Sequence, residues 1–243
     1  MPSSSSSASL SPAQRDLLKR HETDISTGLS SDQVTERREQ FGGFNVVKPP
    51  IDCPPALCVI LPCIASFPSM KAFKAMQPDD AEVKRNGQWI RYDVTSLVTG
   101  DIIRLEEGDM VPADCVVLQF TSPHQEELLV DVRAITAEEK PRSAKYVTRT
   151  QPVEGSSATN TQETVKFVQP VQLYWGGTVV QGGCIAVVTA IGHQCYVSTL
   201  IQQGKFPPKV ADLADVVEVH NDDDEGDGIA LVSAQDPMIR ETV

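Results

Sequence analysis

Residues 97–118 read Leu-Val-Thr-Gly-Asp-Ile-Ile-Arg-Leu-Glu-Glu-Gly-Asp-Met-Val-Pro-Ala-Asp-Cys-Val-Val-Leu, and they decide the fold of this 243-residue chain. Two short apolar runs, Ile102–Leu105 and Cys115–Leu118, flank a polar turn at Glu106–Asp109. Short β-branched runs on either side of a glycine-containing turn predict paired strands. Pro112 has no backbone donor, so we expect it at a strand entry or a bulge.

The residues within this stretch also resemble a known family. Gly100-Asp101-Ile102-Ile103 is followed by a Gly-Asp-x-x-Pro-Ala-Asp segment at 108–114. Together they are similar to the actuator domain of P-type cation-transporting ATPases, although Thr99 stands where the family most often has Pro. The resemblance implies a mainly β fold, a distorted jelly roll, and the residues discussed below add two or three short N-terminal helices and disordered tails.

Composition limits the classes of partner. The formal net charge of −12 argues against non-specific binding to nucleic acid or to an anionic membrane surface. Residues 1–10 are rich in Ser and lack an apolar core, so they predict a disordered tail and no secretory signal. We therefore expect a protein that faces the cytosol, with reduced thiols.

The six cysteines do not follow a metal-binding pattern. Buried free thiols are expected for Cys115 and Cys184, and Cys195 also stands alone. A second group recurs every five residues without a Cys-x-x-Cys pair or a nearby His: Cys53, Cys58 and Cys63. We predict no metal site.

Two helices are predicted in residues 11–48. Ser11 followed by Pro12 is typical of a helix start, with the helix running from about 13 to 21. Ser30 and Gln33 form a capping box for a second helix that ends at Gly42-Gly43. This region resembles the N-terminal cytoplasmic segment of P-type cation pumps, in which a helix that starts at Gly-Leu-Ser ends in a Phe-Gly-x-Asn turn. Here the start is Gly28-Leu29-Ser30, and one extra residue separates Gly42 from Asn45.

Residues 49–78 are predicted to be a Pro-rich apolar linker. The apolar stretch at 56–67 is shorter than the roughly 20 residues that a membrane-spanning helix needs, and it contains Pro62. It could be a buried or interfacial segment, a remnant of the family's first membrane hairpin that dips into the bilayer, or a full span. The protein would reach a membrane either through this stretch or through an intact pump. A short helix is predicted at 70–76.

Residues 79–203 are assigned to the actuator-like β domain. Asn86-Gly87 predicts a tight hairpin between strands at 81–85 and 88–92, with Trp89 packed inside. Beyond residue 118 we predict strands at 165–168 and 171–174 and a second hairpin within 176–188. A polar surface loop is expected at 143–160, a helix at 196–203, and a flexible acidic tail at 204–243.

The candidate site lies in residues 131–141. Four residues match the family's catalytic loop Asp-x-Ser-x-Leu-Thr-Gly-Glu-Ser-x-Pro: Asp131, Thr136, Glu138 and Pro141. The resemblance implies that Glu138 positions and activates the water that hydrolyses an aspartyl phosphate on a separate domain. Thr136 would shape the loop. A carboxylate suits this chemistry because it can accept a proton from water.

Two residues of the loop depart from the family pattern. Ala137 replaces a Gly, and a Cβ disfavours the positive φ that Gly adopts freely. Glu139 replaces a Ser and adds negative charge where a phosphoryl dianion would approach. The alternative hypothesis is that Glu138 and Glu139 are solvated carboxylates with no catalytic role.

Three functional interpretations follow. The first is an isolated actuator-like protein, not an enzyme, that docks onto an intact P-type ATPase or another partner. The second is a shortened product of a pump gene, and the third is an unrelated β-rich binding module. The printed sequence lacks the Asp-Lys-Thr-Gly-Thr phosphorylation motif, so we expect no ATP hydrolysis by this chain and no bound cofactor; the family uses ATP and Mg.

Two finer predictions concern the ion and a second partner. The stretch Gln181–Val188 favours proton pumps over calcium pumps. The last residues, Glu241-Thr242-Val243, fit the rarer acidic version of a peptide captured by PDZ-type grooves, with a plain tail as the alternative.

Overall fold

The structure is a computed structural model that describes residues 10–41, 43–52, 67–152 and 162–208. Two antiparallel sheets dominate it, and helices flank them. The strands are β1 Asp80–Arg85, β2 Gln88–Asp93, β3 Ile102–Leu105, β4 Asp114–Phe120, β5 Glu127–Asp131, β6 Arg142–Pro152, β7 Gln162–Val168, β8 Gln172–Leu173, β9 Thr178–Gln181 and β10 Cys184–Ala190. The helices are α1 Pro12–Arg20, α2 Ser31–Phe41, α3 Pro68–Ala75, α4 Arg133–Thr136 and α5 Tyr196–Gln202, with 3-10 turns at Val94–Ser96 and Gly192–Gln194.

The main core lies between the sheets. The larger sheet has the order β2-β1-β3-β10-β4-β8, and the smaller has the order β7-β6-β5-β9. Fully buried apolar side chains from both sheets form one cluster, which includes Val83, Ile103, Val117, Leu128, Val130 and Val179. The prediction of a mainly β fold is therefore confirmed.

The pairing predicted within residues 97–118 is wrong. β3 and β4 belong to the same sheet, but β10 lies between them: Ala186 is opposite Ile103 on one side and Val117 on the other. The segment between the two strands turns towards the smaller sheet, where the Val111 N–H donates to the Gly177 carbonyl at 2.7 Å. Local sequence identified both strands, but their common partner comes about 70 residues later in the chain.

One predicted hairpin is confirmed and the other is wrong. β1 and β2 pair across Asn86-Gly87, and both turn residues have the positive φ of a two-residue hairpin turn, +50° and +77°. β9 and β10 do not pair with each other, because β9 joins β5 in the smaller sheet and β10 joins the larger one. Their connection at Gly182-Gly183 carries the chain between sheets.

The prediction of a surface loop at 143–160 is also wrong, because strand occupies its first part. β6 continues to Pro152 and pairs with β7 over seven residue pairs, from Tyr146–Val168 to Pro152–Gln162. From Tyr146 onwards it pairs only with β7, and the exposed Val147, Thr148 and Arg149 suit such an edge region. The Ser- and Thr-rich composition of 143–160 favoured a loop over a strand in the prediction. Residues 153–161 lie outside the described part.

Helix α1 is fastened to the outer face of the larger sheet. Leu17 and Leu18 pack on a second apolar cluster that contains Val116 and Val187. The buried Gln14 amide donates to the carbonyls of Val117, Leu118 and Val168 at 2.9–3.0 Å. Ser11 and Gln14 also complete a capping box, which confirms the predicted helix start.

Helix α2 begins as predicted and closely approaches β1. Ser30 and Gln33 exchange hydrogen bonds of 2.9 and 3.2 Å, the reciprocal pattern of a capping box. Gly28 has φ +66°, and a Cβ there would lie 1.9 Å from the Lys84 carbonyl oxygen. This contact requires glycine, and it brings the fully buried Leu29 into a bridge with Arg85.

The described chain continues into the predicted tail. Phe206 is buried and packs edge-on against Phe73 of α3, with ring centroids 6.4 Å apart, so residues 204–206 are not part of a flexible tail. Trp89, expected inside, is only half-buried, with the cations of Lys84 and Arg104 over its ring.

Several predictions fall outside the described residues: the tail at 1–9, most of the 56–67 stretch, the group Cys53, Cys58 and Cys63, and the acidic tail from 209 to the C-terminus. Across the parts of the chain that the structure does describe, every helix is too short or too polar to cross a membrane.

Candidate functional site

The candidate loop joins the two middle strands of the smaller sheet. It leaves β5 at Asp131, forms the single-turn helix α4, and enters β6 at Arg142. Asp131 accepts hydrogen bonds from the Arg133 guanidinium at 2.6–3.1 Å and from the Arg133 backbone N–H at 3.0 Å. The side-chain hydrogen bonds from Arg133 lower the pKa of Asp131. Asp131 therefore supports the start of the loop.

Thr136 is an internal support of the loop. It is 5% exposed, and its Oγ1 donates to the Val132 carbonyl at 3.2 Å. The neighbouring Ile135 is fully buried in an apolar cluster that also contains Trp175 and Phe73. This placement suits the predicted shaping role of Thr136, which stays a prediction.

Ala137 adopts the conformation expected of the glycine it replaces. Its φ is +53° and its ψ is 18°, in the left-handed region, directly after α4. Its backbone N–H donates to the Arg133 carbonyl at 3.0 Å and closes the helical turn. A Cβ in this region costs about 1–2 kcal/mol. The loop thus keeps a glycine-type turn at an energetic cost.

Glu138 is bound to Arg142. The shortest contact joins Arg142 Nη2 to Glu138 Oε1 at 2.6 Å, and Nε contacts both carboxylate oxygens at 3.0 and 3.1 Å. The Glu138 side chain is 36% exposed, and the neighbouring Glu139 is exposed. Glu138 is therefore a paired carboxylate, whereas Glu139 has the solvated position of the alternative hypothesis.

Sequence reasoning missed Arg142. Its Nη1 donates to the Gln172 carbonyl at 2.9 Å, and its guanidinium lies 4.7 Å from the centre of the Tyr174 ring. Tyr174 in turn stacks on Tyr196 at 4.6 Å. The available signal was the opposite charge four residues after Glu138.

Asp101 and Asp114, one from each Gly-Asp segment, stabilise the fold through buried hydrogen bonds. Asp101 is fully buried and forms an ion pair with Arg85, with an Nη2–Oδ2 distance of 2.6 Å. Asp101 also accepts the Val98 N–H at 2.8 Å. This network fixes the turn before β3.

Asp114 connects β4 to the region around α5. One carboxylate oxygen accepts the Trp175 N–H at 2.9 Å and the other accepts the Tyr196 N–H at 2.7 Å. Burial raises its pKa to about 6, although both hydrogen bonds act in the opposite direction. Asp114 thereby fixes the backbone of Tyr196, the outer member of the aromatic stack behind Arg142.

Known sequences match two parts of the chain. A family described as "P-type ATPase actuator domain" matches residues 75–205, and one described as "Cation transporter/ATPase, N-terminus" matches residues 13–51.

Three relatives illustrate the similarity. The Endoplasmic reticulum calcium ATPase srcA of Aspergillus fumigatus is 32% identical over 158 residues, 60% of this chain and 15% of the relative. Magnesium-transporting ATPase, P-type 1, of Escherichia coli K12 is 34% identical over a match that covers 53% of this chain and 13% of the relative. Calcium-transporting ATPase 2, endoplasmic reticulum-type, of Arabidopsis thaliana is 30% identical over a match that covers 56% of this chain and 12% of the relative. The chain thus spans about an eighth of the length of these relatives.

Proposed function

The chain belongs to the P-type ATPase actuator domain family, preceded by the N-terminal segment of cation transporters, and we propose that it acts as the actuator of a P-type cation pump. In this role the loop Thr136-Ala137-Glu138 meets an aspartyl phosphate carried by a separate domain.

The conformation of Ala137 is the observation that carries this proposal. A residue with a Cβ has been kept at φ +53°, so the surrounding structure holds the loop in a turn that favours glycine. Strain of this kind persists only where neighbouring contacts fix it, and such positions cluster at functional sites. The buried Thr136 and Ile135 provide those contacts.

The ion pair of Glu138 favours a docking role over a hydrolytic one. Arg142 contacts both oxygens of the carboxylate, so it occupies acceptor positions that a bound water molecule would need. We therefore propose that the chain docks onto a phosphorylated pump and regulates it, at the cytosolic face of the membrane that holds the pump.

The second candidate is the same module as part of a pump polypeptide that couples ATP hydrolysis to ion transport. It is favoured by the order of the two matched segments and by their close packing, since Gln14 of α1 donates to carbonyls in both sheets. Sequencing the encoding transcript tests it: a reading frame that runs on into membrane helices and the Asp-Lys-Thr-Gly motif supports this candidate, and a stop codon after Val243 excludes it.

The transported ion stays open to test. The relatives above are named for calcium and magnesium, whereas the stretch Gln181–Val188 favours proton pumps. The preference for a proton pump is therefore still a prediction, and the identity of the captured pump decides it.

Affinity capture from the native membrane fraction tests the docking proposal. The tagged chain is incubated with solubilised membranes, with and without orthovanadate as a phosphoryl analogue, and captured proteins are identified by mass spectrometry. We expect an intact P-type ATPase, recovered more strongly with orthovanadate. Recovery of no P-type ATPase, or equal recovery in both conditions, contradicts docking through the loop.

A further inference from the structure

Arg142 is held on three sides. The edge formed by Nε and Nη2 faces the Glu138 carboxylate, and Nη1 donates to the Gln172 carbonyl at 2.9 Å. The face of the guanidinium rests on the Tyr174 ring, which is supported by Tyr196. The orientation of Arg142 is therefore set by Gln172 and Tyr174 as well as by Glu138.

This arrangement leaves one replaceable partner. The Nε–Nη2 edge is the fork that binds carboxylate and phosphate oxygens with two parallel hydrogen bonds. If the Glu138 side chain rotates away, Gln172 and Tyr174 still hold the fork in place. A tetrahedral oxyanion can therefore take the position of the carboxylate without reorganising the arginine.

Solvent access and charge favour such an exchange. The Arg142 side chain is 23% exposed and that of Glu138 is 36% exposed, so the pair lies at the surface. Ion pairs with this exposure contribute little to stability, so an incoming anion displaces the carboxylate at a small cost in free energy. A phosphoryl dianion also offers the guanidinium twice the charge of a carboxylate.

We propose that Arg142 is an oxyanion-binding residue masked by Glu138, and that a phosphoryl dianion displaces the carboxylate and thereby frees Glu138. This exchange of anions involves residues of this chain alone and does not depend on the proposed function. Only the identification of the phosphoryl source as an aspartyl phosphate rests on the proposed function. Arg142 is thus assigned as a binding residue for the phosphoryl group, and it holds Glu138 only while that group is absent.

The Arg142 Nε–H signal in NMR tests the exchange on the whole purified chain. In wild type we expect a slowly exchanging signal from the ion pair. In Glu138→Gln this signal is lost from the free protein and returns when inorganic phosphate is added. Phosphate binds Glu138→Gln about fivefold more tightly than wild type, because no carboxylate competes. Adding Arg142→Lys to Glu138→Gln keeps the charge but removes the fork, and this double variant binds phosphate at least fivefold more weakly than Glu138→Gln alone.

Glu139→Gln is the matched control, since it removes the same charge one residue away and leaves the ion pair intact. At 0.1 M salt we expect it to change phosphate affinity less than twofold. An equal gain from Glu139→Gln and Glu138→Gln, or no gain from Glu138→Gln, overturns the proposal.

Acetyl phosphate separates the possible sources of the phosphoryl group, because it carries an acyl phosphate like that of a phosphorylated aspartate. We expect it to bind at least as tightly as inorganic phosphate. Binding of inorganic phosphate alone would overturn the aspartyl phosphate assignment. Failure of pump capture, by contrast, would leave these titrations unchanged, so the two proposals fail separately.

Discussion

The side-chain Oδ1 of Asn45 accepts a hydrogen bond from the backbone N–H of Gly192 at 2.8 Å, although 147 residues separate them in sequence. The Nδ2 of Asn45 donates to the carbonyls of Val94 and Pro112 at 3.0 and 2.8 Å. One side chain, 2% exposed, therefore joins the N-terminal segment to the 3-10 turn at Val94–Ser96, to the Gly-Asp segment that contains Pro112, and to the turn that precedes α5. The N-terminal segment is an integral part of the β body.

Replacing Asn45 by Ala should lower the free energy of unfolding by about 3 kcal/mol, because three buried backbone groups lose their partner. Urea unfolding followed by circular dichroism measures the change. Gln40→Ala is the control: this side chain is exposed and its amide donates to Glu36 on the same helix, so its loss should cost less than about 0.5 kcal/mol. Equal effects of the two variants would show that Asn45 is not a structural connection.

Ala137→Gly should stabilise the protein by about 0.5 kcal/mol. The substitution relieves the left-handed strain at φ +53°, and the greater freedom of Gly in the unfolded chain offsets part of the gain. Thermal and urea unfolding measure the difference from wild type.

Ala134→Gly provides the contrasting control within the same loop. Ala134 is exposed and lies inside the right-handed turn of α4, where Gly is about 1 kcal/mol less favourable than Ala. The same chemical change should therefore have opposite signs at the two positions. Destabilisation of similar size at both would mean that Ala137 is not strained.

Asp114 should make stability depend on pH between about 4 and 7. Its pKa is raised by burial from 3.8 to about 6 in the folded protein, so the folded state binds more protons than the unfolded state in this range. Its contribution is fully present below 3.8 and is lost as the pH rises through 6. The stability of wild type relative to Asp114→Asn should fall by up to about 3 kcal/mol from pH 4 to pH 7.

Urea unfolding of wild type and Asp114→Asn at four pH values measures this trend. Asp131→Asn is the contrasting variant, because hydrogen bonds from Arg133 lower the pKa of Asp131. The contribution of Asp131 is present above its unfolded pKa and is lost as the pH falls, so the trend should have the opposite sign. A wild-type advantage over Asp114→Asn that grows with pH would contradict the burial argument.

Local signals in the sequence predicted local structure well. Ser11 and Ser30 start helices because each hydroxyl accepts a hydrogen bond from the backbone N–H three residues later, which is a short-range interaction. Asn86-Gly87 makes a hairpin because its positive φ values are set within the turn itself. In each of these cases the residues that carry the information are within a few positions of one another.

Pairings over long sequence separation were not predictable in this way. β10 separates β3 from β4, and this order depends on burial across the whole sheet, which no short window contains. The outer part of β6 could not be predicted, because Thr148 and Arg149 are exposed polar residues and its partner β7 comes after a further segment of chain. The partner of Glu138 was unpredictable for a different reason: the family motif ends at Pro141, and Arg142 lies just beyond it.

The most direct test of the actuator proposal asks whether the loop faces the phosphoryl group of a pump. Glu139→Lys replaces a negative charge by a positive one at the exposed part of the loop, and Glu39→Lys makes the same change on the exposed surface of α2. Capture of the P-type ATPase in orthovanadate is then compared for wild type and both variants. The proposal predicts increased recovery with Glu139→Lys and unchanged recovery with Glu39→Lys. Equal recovery with all three proteins would contradict it.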